Sequence, residues 1–188
     1  MLKYVTKKSD PTQRYLVVFH TQEARDKELS IPIKCTRSDA WLGEGFYFWL
    51  EEEFAHYWGC DSKKPIYCIY KGYLLDKNIL NATFSSKGYS LFVKEIEKAI
   101  ACIKKHTPAH PISLAQVNRY LTDRIWPKLG IKGIIYDDLP QNPRLGTRTY
   151  SEIKPLYYKK RVQLVLFDLS TLERFEVYKD NQEVKESG

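Results

Sequence analysis

The sequence predicts an α+β fold, and three observations carry that prediction. Short runs of β-forming residues recur along the chain, at residues 15–19, 46–50, 65–73, 131–136 and 162–168. Two longer stretches, 88–106 and the one that opens at Ser113, repeat apolar residues three and four apart, the spacing of one helix face. The helical stretches sit between strands without the regular alternation of a doubly wound sheet. With 188 residues, 43% of them hydrophobic and 14% aromatic, the chain can bury a core and fits a single domain over residues 1–188.

Residues 1–13 read as a loose lead ending at Asp10-Pro11. Tyr15-Leu16-Val17-Val18-Phe19 is a continuous apolar run, suited to a buried strand, and it ends in His20-Thr21. Between residues 22 and 39 the pattern weakens; 23–29 suits one or two helical turns and Ile31-Pro32-Ile33 an extended piece. Then comes WLGEGFYFWLEEEFAHYW, residues 41–58. Gly43 and Gly45 make a loop that can take positive φ or approach a neighbour closely. Residues 46–50 form an aromatic strand. Glu51, Glu52 and Glu53 suit the positive end of a helix dipole. Phe54, Tyr57 and Trp58 give that helix an apolar face, and Gly59 can close it.

Residues 65–73 read as another strand and 76–87 as a polar loop. The helix at 88–106 places Phe92, Ile96, Ala99, Ile100 and Ile103 on one face. Ser113 and Gln116 have capping-box spacing, and Leu114, Val117, Leu121 and Ile125 follow as the face of the next helix. Together these predict a helical block inserted at about residues 88–129 of a β-rich chain. Strands at 131–136 and 162–168 flank a long polar segment, 137–160, of the kind that is functional when it occurs inside a domain. Residues 170–177 suit a turn and a short extended piece, with a polar tail from Lys179.

Composition narrows the functional classes. No apolar run is long enough to cross a membrane, and the first residues lack an apolar signal core, so the expected location is cytoplasmic. Cys35, Cys60, Cys68 and Cys102 are scattered, which predicts reduced and mostly buried thiols. A net charge of +7 and a pI near 9.1 favour polyanionic partners. No GxGxxG, GxxxxGK[ST] or GxSxG pattern is present. His56 and Cys60 are four apart on a helix, but no second pair completes a metal set, and no metal is expected.

LVVFHT (16–21), GEGFYFWLEEEFAHYW (43–58), LGIKGIIYDD (129–138) and VQLVLFDLSTLERF (162–175), in that order, resemble the ADP-ribosyltransferases. The likeness is nearest to the bacterial His–Tyr–acid group, related to diphtheria toxin and the poly(ADP-ribose) polymerases, and covers most of the chain outside the helical block. It implies a split, twisted β-core that holds NAD as co-substrate. His20 would bind the adenosine ribose with Thr21 beside it, Tyr47 would stack on the nicotinamide, and Gly45 would let the backbone come close. Gln163 stands where the family usually has Glu. That departure matters because positive charge builds on the ribose as nicotinamide leaves, and a carboxylate that stabilises it is commonly worth several kcal/mol. Two explanations are open: the target itself assists, as in relatives that carry Gln here, or Glu152, in an aromatic-x-acid pattern with Tyr150, swings in to supply the charge. Arg144, Arg148 and Tyr150 would dock the target, arginines on phosphates and the ring on a base.

The activity implied is ADP-ribosyl transfer from NAD to a macromolecule, nucleic acid (RNA or DNA) more than protein, in a bacterial toxin or anti-phage effector that an antitoxin could restrain. Two other readings stand beside it. One is a non-catalytic nucleic-acid- or partner-binding module on a degenerate version of the fold. The other is a small ribonuclease toxin with His20 or His56 as base. At the level of single residues, a His at a strand end is ordinarily a hydrogen-bonded structural residue, Tyr47 in an aromatic strand can be core, Gln163 can cap a strand edge, and Glu152 can be a solvated loop acid.

Overall fold

The computed structural model describes residues 2–7, 10–62, 66–108, 110–137 and 160–183. Over these the fold is α+β, an eight-stranded mixed sheet with helices on one face. The strands are β1 (Tyr4–Lys7), β2 (Asp10–Glu23), β3 (Phe46–Trp49), β4 (Ile66–Leu75), β5 (Ile79–Asn81), β6 (Gly133–Asp137), β7 (Val162–Leu166) and β8 (Leu172–Glu183). The helices are α1 (Glu52–Asp61), α2 (Ser86–His106) and α3 (Leu114–Tyr120). Strand order is β5-β6-β7-β3-β2-β4-β8, with β1 also on β2.

The sheet is nearly divided in two. A single register pair, Phe19 with Trp49, joins β2 to β3, whereas β2 and β4 pair continuously from Tyr15–Leu75 to Glu23–Tyr67. The two halves pack on each other. Leu16, Val18 and Leu74 from one half and Phe48, Leu164, Leu166 and Ile135 from the other form one buried cluster. Fully burying a side chain of this kind contributes roughly 1.5–3 kcal/mol. The opposite face of the sheet carries α1 over Val17, Phe19, Trp49 and Ile69, and α2 with α3 over Ile134 and Val165.

The helical block has a topological reason. β5 and β6 are parallel, and parallel neighbours need a crossover connection. The two helices are that crossover rather than a decoration on a loop. Ser113 and Gln116 form the reciprocal capping box that their spacing predicts. After α3 the chain widens into a π-helical turn, Leu121–Ile125, closed by Trp126 N–H on the Leu121 carbonyl at 2.9 Å. This drops Trp126 into the core, 2% exposed, with its ring stacked on Phe92 at 6.3 Å.

Several expectations change. Residues 4–7 and 79–81 are strands, not a loose lead and a loop. The strand expected to stop near residue 177 runs to Glu183, so the polar tail does not begin at Lys179. Residues 23–29 form no helix. Leu114 is exposed rather than on the buried face of its helix. On α1 the buried residues are Phe54, Ala55 and Gly59, and Trp58 turns outward at 42% exposed. Of the cysteines, all free, only Cys68 is buried. No described helix is long and apolar enough to cross a membrane.

Gly59 lies inside α1, not at its end. A Cβ there would sit 2.5 Å from the ring of Tyr67. That phenol is held by the His56 Nδ1 at 3.1 Å and the Cys60 Sγ at 3.6 Å, so the ring has little room to move aside. Gly59→Ala should therefore destabilise the fold by about 1–3 kcal/mol, although Ala normally improves a helix by about 1 kcal/mol over Gly. Urea denaturation measures this; an unchanged or raised midpoint would show that Tyr67 yields freely.

Candidate functional site

β3 lies between β2 and β7, so His20, Tyr47 and Gln163 come from three neighbouring strands. Successive side chains on a strand point to opposite faces, and directly opposed residues share a face. Trp49 pairs with Phe19 and with Gln163, and Tyr47 pairs with Val165. Tyr47, Trp49 and Gln163 therefore stand on the helix-bearing face. His20 stands on the other, beside Phe48 at 5.6 Å and Phe175 at 6.0 Å. The imidazole and the phenol do not face each other across a cleft, as the family likeness implied.

His20 is buried and both its nitrogens are used. Nδ1 lies 2.8 Å from the Tyr47 carbonyl, and Nε2 accepts from Ile33 N–H at 3.4 Å. Since Nε2 accepts, Nδ1 carries the proton and donates. The ring ties the end of β2 to β3 and to the following loop. Thr21 is equally committed, its hydroxyl donating to the Ala55 carbonyl in α1 at 2.7 Å. Gly45 does permit close approach, but to β7: a Cβ there would meet Val165 at 2.5 Å and the Leu166 carbonyl at 2.7 Å. Gly43 takes the positive φ, +87°. These three expected cofactor contacts, His20, Thr21 and Gly45, are thus occupied by the fold itself.

The helix-bearing face is different. The half-buried Tyr47 donates its hydroxyl to the Gly43 carbonyl at 2.7 Å and accepts from Leu42 N–H at 3.2 Å, which braces the glycine loop, while its ring packs against the helix-side core. Gln163, 9% exposed, is flanked in register by Trp49 and by Tyr136. Trp41 Nε1 donates to Gln163 Oε1 at 3.0 Å, and its ring packs on Tyr136 at 5.4 Å. An indole N–H can only donate, so chemistry fixes which amide atom is oxygen. Nε2 is then the end that a ligand would meet; it has no hydrogen bond to a described residue. Arg161 lies over Trp49 at 5.2 Å, and Trp49 packs near the outward Trp58 at 6.3 Å. An amide donor framed by aromatic rings and one guanidinium can bind a polar, ring-bearing ligand.

Sequence reading did not single out Trp41, Tyr136 or Arg161. The available signal for Trp41 was a large aromatic in a polar, glycine-containing loop. By sequence Arg161 is only the end of a basic run, Lys159-Lys160-Arg161, yet it is 9% exposed. Glu152, Arg144, Arg148 and Tyr150 lie outside the described residues. His56 is also committed, with Nδ1 against the Tyr67 hydroxyl and Nε2 3.2 Å from Lys179 Nζ. A separate polar groove of about 450 Å³ lies between the 34–44 loop and α3, lined among others by Lys34, Arg37, Glu44, Arg119 and Asp123. It contains neither His20 nor Gln163. Compared with protein-family models, curated proteins and solved structures, the chain finds no match.

Burial holds the His20 imidazole below its ordinary pKa, against a smaller opposing pull from the Tyr47 carbonyl. Burial and then the Lys179 charge also lower His56, with Glu52 opposing. A lowered value in the fold means that the unfolded chain binds more protons on acidification. The stabilisation is whole above the ordinary His value of about 6.5 and drains as pH falls through the folded values. The thermal midpoint should fall below that pH. His20→Asn should cost about 1 kcal/mol or more at neutral pH and flatten part of the acid slope. A slope identical to that of the unmodified chain would remove His20 as its source.

Proposed function

We propose that the chain is an NAD-dependent ADP-ribosyltransferase acting on a macromolecule, nucleic acid before protein. One observation carries the reading: Gln163 and Tyr47 share the helix-bearing face, with the Gln163 amide oriented by Trp41. When bound, NAD supplies an activated glycosidic bond with nicotinamide as leaving group. Tyr47 offers its ring as a stacking wall. Gln163 Nε2 donates to a ribose hydroxyl of the ligand, a group that could equally donate to a carboxylate, and Trp41 keeps that end of the amide forward. Arg161, over Trp49, places a positive charge beside this face.

The fit is half of what the family likeness implies. The nicotinamide–ribose contacts, Tyr47 and Gln163, suit the ligand. The adenosine-ribose contacts do not, because His20 and Thr21 are spent on β3, the 31–34 loop and α1. This favours, as the second reading, a binding module on the same architecture without turnover. A ribonuclease with His20 or His56 as base has less support, since each imidazole has both nitrogens engaged.

Incubation of the chain with adenine-labelled NAD and a cell lysate, with and without nuclease, separates the readings. Nuclease-sensitive label supports transfer to nucleic acid, and protease-sensitive label transfer to protein. NAD binding without transfer supports the second reading, and neither binding nor transfer overturns both uses of NAD. If transfer occurs, Gln163→Glu should raise its rate by about tenfold or more, because the carboxylate adds the charge that the amide lacks. Trp41→Phe keeps the ring and frees the amide; turnover should drop by a factor of about ten, a geometric loss. A Gln163→Glu variant slower than the unmodified chain would count against charge development at this position.

A further inference from the structure

We infer that the open sheet surface formed by β4 and β8 is a docking strip for single-stranded nucleic acid. Five side chains on it alternate cation and ring. Arg174 Cζ lies 4.0 Å from the centre of the Tyr73 ring, and Lys71 Nζ lies 5.7 Å from the same ring. Lys71 Nζ is also 5.0 Å from the Tyr178 ring, and Lys179 Nζ is 5.7 Å from it. The order along the strip is Arg174, Tyr73, Lys71, Tyr178, Lys179.

The rings are held ready. The Tyr73 hydroxyl donates to Glu176 Oε1 at 3.2 Å, and the Tyr178 hydroxyl to Glu52 Oε2 at 3.0 Å. Phe19 supports Tyr178 from below at 5.5 Å. Both carboxylates also pair with cations of the strip, Glu176 with Arg174 at 3.1 Å and Glu52 with Lys179 at 2.7 Å. They do so at the phenol tips, not over the ring faces. Lys71, at the centre, has no ion pair among the described residues. Tyr178 is 38% exposed, and Arg174 is exposed.

A ring fixed at its hydroxyl loses little freedom when a base stacks on it. A cation between two rings can leave the ring face for a phosphate, which binds it more strongly than a quadrupole does. Ring then cation repeats the base-then-phosphate order of a single strand. A duplex hides its base faces, and an acidic polypeptide offers nothing for the rings. The net charge of +7 favours the same class of partner. The strip lies on β4 and β8, whereas Gln163 lies on β7, so this surface does not rest on the NAD reading and is tested without NAD.

The probe is a fluorescent oligouridylate or oligothymidylate about twelve nucleotides long, read by anisotropy against the full chain at two salt concentrations. The full chain should bind, and Tyr178→Ala should weaken binding about tenfold. Tyr178→Phe, which keeps the ring and loses its tether to Glu52, should weaken binding by only about two- to threefold. Lys71→Gln should weaken binding a few-fold and lower the salt slope by about one. Absence of binding at low salt overturns the proposal. So does a duplex that binds equally well, displacement by polyglutamate as readily as by oligonucleotide, or equal loss from Tyr178→Phe and Tyr178→Ala. Should Tyr178→Ala fail to fold, the salt slope of Lys71→Gln decides alone.

Discussion

Strict alternation along β3 decides which groups this protein can bring together. Four residues long, the strand shares a border with β2 on one side and β7 on the other. Phe46 and Phe48 face the core between the two sheet halves, and Tyr47 and Trp49 face the helices. Everything in register follows: His20 is assigned to Phe48, and Gln163 to Trp49. A slip of one residue would exchange the two sets. The single Phe19–Trp49 pair that joins the halves thus fixes both the packing and the chemistry.

His20 and Gln163 illustrate two uses of a buried polar side chain. His20 is satisfied at both ends by backbone groups, which makes it a strap between segments distant in sequence. Among the described residues Gln163 is satisfied at its oxygen only, by one indole, which makes it an oriented donor. The first contributes to stability and depends on staying neutral. The second gains specificity, because an amide whose rotation is blocked can discriminate acceptors from donors. Both are buried in the same sheet, a strand apart.

Much of the frame was legible in the sequence. A continuous apolar run marked β2, stretches rich in β-formers marked β4, β6 and β7, and the capping box at Ser113 and Gln116 marked a helix start that forms. The missed strands have physical reasons. β5 is three residues long, too short to express a period. β8, LERFEVYKDNQE, lies at a sheet edge, where charged side chains reach solvent and blur the alternation. The identity of Gln163 as a residue of interest was visible through a family likeness. Its partners Trp41 and Tyr136 were not, because they meet only through strand order, which no local pattern encodes. The side on which His20 points was hidden for the same reason, since it depends on register with a strand that comes later in the chain.

β8 is also an outer strand of twelve residues, and its far rim meets no other described strand. Such a rim is a template on which another chain could add. This one is guarded by Glu173, Arg174, Glu176, Lys179 and Asp180, and by irregular pairing with β4 near Tyr67–Tyr70 and Tyr73. In the antiparallel overlay centred between Glu176 and Val177, Glu173 meets Asp180 and Arg174 meets Lys179, like against like, which opposes that self-pairing. The cost of a long, usable flank is a standing hazard of fibre growth, held in check by a handful of surface charges.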